Sequence, residues 1–386
     1  MSKLRTSAMA PGAVQSEIRA MSVLSEQAGA INMAQGICDT EVPAVVREAA
    51  KEAIDGGNNI YTRLDGIARL RNAVAADWQR RRGFPVDPDR EVMVTSGATG
   101  ALYSSAMALL DPGDEAILFE PLYGYHAATF ASMHVKPIIV PLQYGSWALD
   151  MDAVRAAVTD KTRAIVINTP GNPGGKVFTH AELEQLAELA LEHDLFVFCD
   201  EIYEHFVYSG HQHTSMSTLP GMRERTITFS GFSKTFSVTG WRVGYLVADP
   251  RWIPSIGYFH DLFYICAPAP LQHGCAAGLE QLPLSFYTDL AQSHEEKRTR
   301  TVAALTEAGL TPHTPDGAYY ILADATPLNG SNAAEKARDL MARTGVAAVA
   351  GSAFFRKGGG ENLLRFCFAK RDAELDEACK RLRTLR

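Results

Sequence analysis

Between about residue 90 and residue 250 the sequence alternates short apolar runs with longer stretches of helical pattern. Two of the runs, AIVIN at 164–168 and LFVFC at 195–199, are apolar on both alternate positions. A strand of that kind has both faces buried, so it lies inside a sheet that helices cover on each side. Parallel neighbours need a long crossover, and a helix supplies it, so the repeated order predicts an α/β chain with a mainly parallel, helix-covered sheet. Strands are expected at 91–95, 116–119, 137–140, 164–168, 195–199, 226–229 and 243–247. The clearest helix follows Thr179, where Thr179 and Glu182 make a T-x-x-E capping box and Leu183, Leu186, Leu189 and Ala190 fall on one face.

After about residue 285 the pattern turns to charged helices interleaved with short strands such as AYYIL and LLRFCF, which reads as a smaller α+β domain. At 386 residues the chain is long enough for one large and one smaller domain. The expected division is an N-terminal segment over 1–45 that packs with the small domain, a large domain over 46–284 and a small domain over 285–386. No internal repeat is present, and the glycines 358–360 read as a loop tip.

With 37 Lys and Arg against 44 Asp and Glu, there is no basic field of the kind that holds nucleic acid. The tight run Arg80, Arg81, Arg82 reads as a solvated helix end before Gly83. Six cysteines show no C-x-x-C spacing, and no histidine stands beside them in metal-ligand register, so they read as reduced, mostly buried thiols with no metal. The first residues lack the apolar core of a secretory signal, and no run is long enough to span a membrane, so the expected location is the cytoplasm.

An open parallel sheet binds ligands beyond the carboxyl ends of its strands, so the polar residues that follow the apolar runs carry the chemistry. After EVMVT come Ser96, Gly97, Ala98 and Thr99, leading into a helix. Backbone N–H groups at such a point suit a phosphate, although a plain tight turn explains the segment equally well. After AIVIN, the rigid loop TPGNPGG presents Asn172; the same loop also serves simply to stop a strand. After LFVFC come Asp200, Glu201 and Tyr203. A carboxylate there needs a cationic partner, unless it only caps the next turn. After TITF comes SGFSKTFSVTGWR, with Lys234 among Ser230, Ser233 and Thr235 and with Arg242 eight residues on. A buried lysine is rare unless paired or used, and a desolvated, neutral amine condenses with an aldehyde. An amine, a carboxylate and an anion site are what pyridoxal phosphate requires.

Here the sequence resembles the class I/II aminotransferases, the fold type I family of pyridoxal-phosphate enzymes, from about Asn32 to the C-terminus. The motifs are Y-x-x-x-x-G-x-x-x-L-R at Tyr61, Gly66, Leu70 and Arg71; N-P-x-G at 172–175; D-x-x-Y at Asp200 and Tyr203; S-K-T-F-S-x-T-G-W-R at 233–242; and R-x-x-x-A from Arg365 to Ala369. The resemblance implies that Lys234 holds pyridoxal 5'-phosphate as a Schiff base and that Asp200 pairs with the pyridinium nitrogen. Asn172 and Tyr203 would bond the ring oxygen, and Tyr123 would stack on the ring. Gly97, Ala98, Thr99, Ser233 and Arg242 would hold the phosphate, joined by Tyr61 from a neighbouring subunit, which implies a homodimer. Arg365 would grip the substrate α-carboxylate, and Gly36 would add a backbone contact beside it.

Two departures stand out. Gly231 occupies a position where relatives often carry serine, which removes one hydroxyl from the phosphate site, and AQGICD replaces the usual G-x-P-D-F pattern, with Ile37 and Cys38 near the substrate. The implied reaction is a ping-pong transfer of an amino group from an L-amino acid to a 2-oxo acid, with Lys234 moving the Cα proton. A β-lyase or cyclase on the same scaffold is the alternative. A regulatory relative would need a fused DNA-binding module, for which the segment before Asn32 leaves no room. For the substrate, Tyr258, Phe259, His260, Phe263 and Tyr264 suit an apolar or aromatic pocket or equally the core, and no second arginine is assigned to a distal carboxylate.

Overall fold

The structure, a computed structural model, describes residues 4, 6, 17–356 and 358–385. Most of the N-terminal stretch read for a secretory signal lies outside the described residues. The strands in chain order are β1 (Ile31–Asn32), β2 (Val92–Thr95), β3 (Glu115–Glu120), β4 (Lys136–Pro141), β5 (Thr162–Asn168), β6 (Phe196–Asp200), β7 (Thr226–Gly231), β8 (Gly244–Val247), β9 (Thr311–His313), β10 (Tyr320–Asp324), β11 (Val346–Ala347), β12 (Val349–Ala350) and β13 (Leu363–Cys367).

Seven of them form one sheet in the order β2-β8-β7-β6-β5-β3-β4. All seven strands expected from the apolar runs are present in it. Pairing is parallel from β7 through to β4, whereas β8 runs antiparallel to both β7 and β2. The reversal decides where β8 begins. In the register of the sheet, Gly244 pairs with Gly231 on one side and with Thr95 on the other, so the beginning of β8 arrives at the carboxyl ends of β7 and β2.

Both faces of the sheet are covered, as the two-faced apolar strands require. Ala116, Leu118, Ala164, Val166 and Phe198 pack on one side with the helix Gly97–Leu109, and Ile117, Ile165, Ile167, Val197 and Cys199 pack on the other with the helix His180–Glu192. The latter begins with the expected reciprocal cap between Thr179 and Glu182. A second, antiparallel sheet, β12-β13-β10-β9, is covered by the helices Leu284–Glu307, Ala333–Thr344 and Asp372–Leu382. The pair β1-β11 ties the first described segment to this second unit.

The arginine run departs from expectation. The helix Ala68–Arg82 does end at Gly83, in the left-handed conformation (φ 80°) that glycine adopts without strain. Yet Arg82 is buried, not solvated, its side chain 4% exposed, and it pairs with Glu201 and Glu204. Arg81 joins Asp77 and Glu204 at 2.6 Å each. Two carboxylates on a distant turn draw the helix end inward, which no local pattern reveals.

Candidate active site

Four strand ends and the start of a fifth meet at one edge of the large sheet. Beyond β2, Gly97 (φ 69°) opens the helix Gly97–Leu109; a Cβ on it would lie 2.5 Å from the Arg242 guanidinium. Glycine is therefore the residue that lets a helix N-terminus and an arginine share one spot. Gly244 is equally constrained, because a Cβ there would meet the Ala98 nitrogen at 2.8 Å. Helix N–H groups and a guanidinium converging in this way make an anion site. Arg242 is exposed and spends one N–H on the Thr239 carbonyl at 3.2 Å.

Asp200 is the last residue of β6, and it is buried. One carboxylate oxygen accepts from the Ile202 amide at 3.1 Å, and the other lies 2.9 Å from His126 Nε2. An ionised carboxylate only accepts, so Nε2 carries the proton and donates. His126 was not picked out from the sequence; its position three residues after Tyr123, one helical turn along the helix Gly124–Ser132, was the available signal. Asn168, at the end of β5, is a second omission: it donates to the Asp200 carbonyl at 3.2 Å and accepts from the Asn172 amide at 2.8 Å, fixing the loop to the strand.

Lys234 follows β7 on one short helical turn, half-buried, with Nζ donating to the Gly36 carbonyl at 3.1 Å. Burial brings its pKa down from 10.5 to about 8 against opposing contributions from Cys367 and Cys38, and Arg242 and Arg365 add smaller pushes in the same direction as burial. The rings of Tyr203 and Tyr319 each have their centroid 5.9 Å from Nζ. Arg365, on β13, is buried; it donates to Asn172 Oδ1 at 2.9 Å and to the Ala34 carbonyl, and it stacks on Tyr320 and Phe354. Its Nε has no partner, a buried donor left for a ligand. Tyr320, also unanticipated, bonds Tyr203 through their hydroxyls at 2.9 Å, and burial pushes its pKa up to about 12.

One cavity is lined by Lys234, Asp200, Tyr203, Asn172, Tyr123 and Arg365, and also by Gly36, Ala98, Thr99, Ser233 and Arg242. Gly97 sits behind Arg242. Tyr61 is elsewhere: it lines an adjoining, more open cavity with Ser96, Thr99, Arg242 and Tyr264, and it is 76% exposed. Among the aromatic residues 258–264, only His260 belongs to the interior, where it accepts from the Ser96 amide at 3.0 Å. Tyr258, Phe263 and Tyr264 are exposed.

An amine of lowered pKa, a buried acid held by a histidine, an anion cradle and an arginine with a spare buried N–H form a set that fits pyridoxal phosphate and an amino acid. The model of the family described as aminotransferase class I and II matches residues 28–382. The chain belongs to this family. It is an aminotransferase, and the cofactor of the family is pyridoxal phosphate. The aminotransferase is 38% identical over 376 residues to the Mycobacterium tuberculosis protein named "Probable N-succinyldiaminopimelate aminotransferase DapC", covering 95% of this chain and 94% of that one. It is 34% identical to kynurenine–oxoglutarate transaminase 3 of Mus musculus, over 92% of this chain and 84% of the other. Its structure matches that of the N-succinyldiaminopimelate aminotransferase from Mycobacterium tuberculosis with a TM-score of 0.95 at 37% identity, covering 99% of this chain and all of the other.

All six cysteines are free, and five of them are buried. Among the described residues no helix is long and apolar enough to cross a membrane. Glu201, Glu204 and His213 approach each other closely enough to suggest a metal site, but both carboxylates are already met by Arg81 and Arg82.

Proposed function

We propose that this aminotransferase works as a homodimer in which Lys234 anchors the cofactor and carries the proton, while the residues beyond the strand ends divide the binding tasks among them. The observation that carries the reading is the meeting of Lys234, Asp200, Arg242 and Arg365 around one cavity. When bound, pyridoxal phosphate supplies an aldehyde for the substrate amine and a ring that withdraws electrons from its Cα.

Arg242, Ser233 and the amides of Gly97, Ala98 and Thr99 hold the phosphate group. Asp200, aimed by His126 and the Ile202 amide, would face the ring nitrogen and favour its protonated form. Asn172 has Oδ1 committed to Arg365, so its NH2 group and the Tyr203 hydroxyl are the donors for the ring oxygen. Tyr123 covers one ring face. Arg365 takes the α-carboxylate with its spare N–H, beside the Gly36 carbonyl. Lys234 Nζ then accepts the Cα proton, with the Tyr203 and Tyr319 rings excluding water around it.

The lowered pKa of Lys234 makes this testable in the cofactor-free protein. Only the neutral amine attacks an aldehyde, so the rate of pyridoxal phosphate uptake is expected to rise with pH and to level off above about 8. Stopped-flow absorbance would check it; a rate still rising toward 10.5 would show an ordinary, solvated lysine.

The dimer is supported by exposed apolar side chains on the segments 60–61 and 258–265, of which Ile60, Tyr61 and Tyr264 line one open cavity. Ile60, Tyr61, Tyr258, Leu262, Phe263 and Ile265 are between 47% and 80% exposed. A group of this size is usual for a surface that another chain covers. Tyr61 has no hydrogen-bond partner among the described residues, and in the dimer it would reach the neighbouring subunit's phosphate. Tyr61→Phe is expected to weaken cofactor binding by roughly ten- to a hundredfold, the worth of a hydrogen bond to a charged group. Equilibrium dialysis of a protein that scatters light as twice the chain mass would check both points, and a monomer with undiminished affinity would refute them.

In this reading residues 46–284 form the cofactor domain and 285–386 a small domain joined by 1–45. The free cysteines suit the reducing cytoplasm.

A further inference from the structure

The helix Glu17–Gln27 brings Arg19 into the wall of the cavity that Lys234 and Arg365 also line. Met21 and Ser25 are buried, and Ile18 packs with Met21 on the core of the second unit, so the helix is fastened by that side. Arg19, one position beyond Ile18, is turned about 100° from it and is exposed. No hydrogen bond, ion pair or ring contact engages its guanidinium among the described residues.

Charge accounting in the cavity singles it out. The lining holds the arginines Arg19, Arg242 and Arg365, with Lys234, against a single acid, Asp200. On the assignments above, Arg242 meets the phosphate, Arg365 the α-carboxylate, and Asp200 the ring nitrogen. Arg19 alone is left without a counter-charge. The same cavity is lined by Ile18, Ile37 and Tyr125, apolar and aromatic walls suited to a short methylene chain.

We infer that Arg19 is a specificity-determining residue that receives a second carboxylate, the one at the far end of a dicarboxylic 2-oxo acid or amino acid. The planar guanidinium fork takes a carboxylate through two parallel hydrogen bonds. Both half-reactions use the same cavity, so the preference applies to donor and acceptor alike. This deepens the proposed function and rests on its placement of the α-carboxylate at Arg365.

The test uses the holoenzyme and two unreactive acids of equal chain length, glutarate with two carboxylates and pentanoate with one, titrated by calorimetry. Glutarate is expected to bind roughly ten- to a hundredfold more tightly than pentanoate. Arg19→Met should remove that difference and leave pentanoate binding unchanged, which also shows that the variant is folded, and Arg19→Lys should restore part of it. In turnover, Arg19→Met should raise KM for 2-oxoglutarate while kcat, and KM for 2-oxohexanoate, stay the same. Equal affinity for the two acids in the native protein, or an equal loss of both in Arg19→Met, overturns the inference. Pentanoate binding that survives Arg365→Ala would instead overturn the α-carboxylate assignment, so the two failures are told apart.

Discussion

Replacing Lys234 by alanine is expected to lower the rate of amino transfer by about four orders of magnitude or more, because one side chain supplies both a covalent attachment and the proton carrier. The structure gives the reason that no neighbour can substitute. Tyr203 and Tyr319 flank the amine, but burial raises their pKa well above the ordinary phenol value, so neither is a base at neutral pH. Asp200 is committed to His126 and to the Ile202 amide. With its pKa near 8 instead of 10.5, Lys234 holds over a hundredfold more neutral amine at pH 7 than a solvated lysine would. Single-turnover rates and the visible absorbance of the bound cofactor would be measured together. Added methylamine should return part of the lost rate in the variant, since it supplies the missing base from solution; a purely structural defect would not respond. Turnover near that of the native protein would remove Lys234 from the centre of the reaction.

The features that the sequence disclosed, and those that it hid, both trace to where information about burial resides. Parallel strands covered on both faces must be apolar throughout, so AIVIN and LFVFC announce the sheet, and any polar residue just beyond such a run stands out. Asn172, Asp200 and Lys234 are legible for that reason, and Arg242 because it immediately precedes a strand. The antiparallel direction of β8 is not written in its four residues, GYLV; it comes from the connection 232–243, which returns to the sheet at the edge it left, and it is what carries Arg242 to that edge.

His126 stayed hidden because its partner lies 74 residues away, and its only local mark, a position three residues after Tyr123, says nothing of that partner. Tyr320 and Arg19 enter the cavity from outside the strand ends of the large sheet, through tertiary packing alone. The aromatic residues 258–264 show the reverse error available to pattern reading. Their apolar character suggests a pocket or a core, but most of them lie on the surface, where apolar character instead supports a subunit contact.

Arg82 offers the second large effect, this time on stability. Its guanidinium lies 4.0 Å over the Trp78 ring and serves both Glu201 and Glu204, all of it out of water. Burial alone would raise the pKa of both acids, but Arg82 with His213 at Glu201, and Arg81 with Arg82 at Glu204, outweigh it and hold them below the ordinary carboxylate range, Glu201 at about 2. Arg82→Leu leaves the buried Glu201 carboxylate without its arginine, beside the His213 ring at 3.2 Å, and removal of one partner from a buried pair costs about 3–5 kcal/mol. The shift of the urea midpoint, at fixed protein and cofactor concentration, would measure it. A double variant, Arg82→Leu with Glu201→Leu, should recover much of the loss, because an apolar pair leaves no charge stranded. Acid gives an independent check. A depressed folded-state pKa contributes stability that is complete above the unfolded value of 4.5 and is lost as pH falls toward about 2. The native protein should therefore weaken steeply across that window, and Arg82→Leu should weaken less, having already lost the pairing. Glu201 and Glu204 belong to the turn that carries Asp200 and Tyr203, so loosening the pair should also weaken cofactor retention. An Arg82→Leu protein with native midpoint and native acid profile would show that the arginine end of the helix is solvated after all, as its sequence suggests.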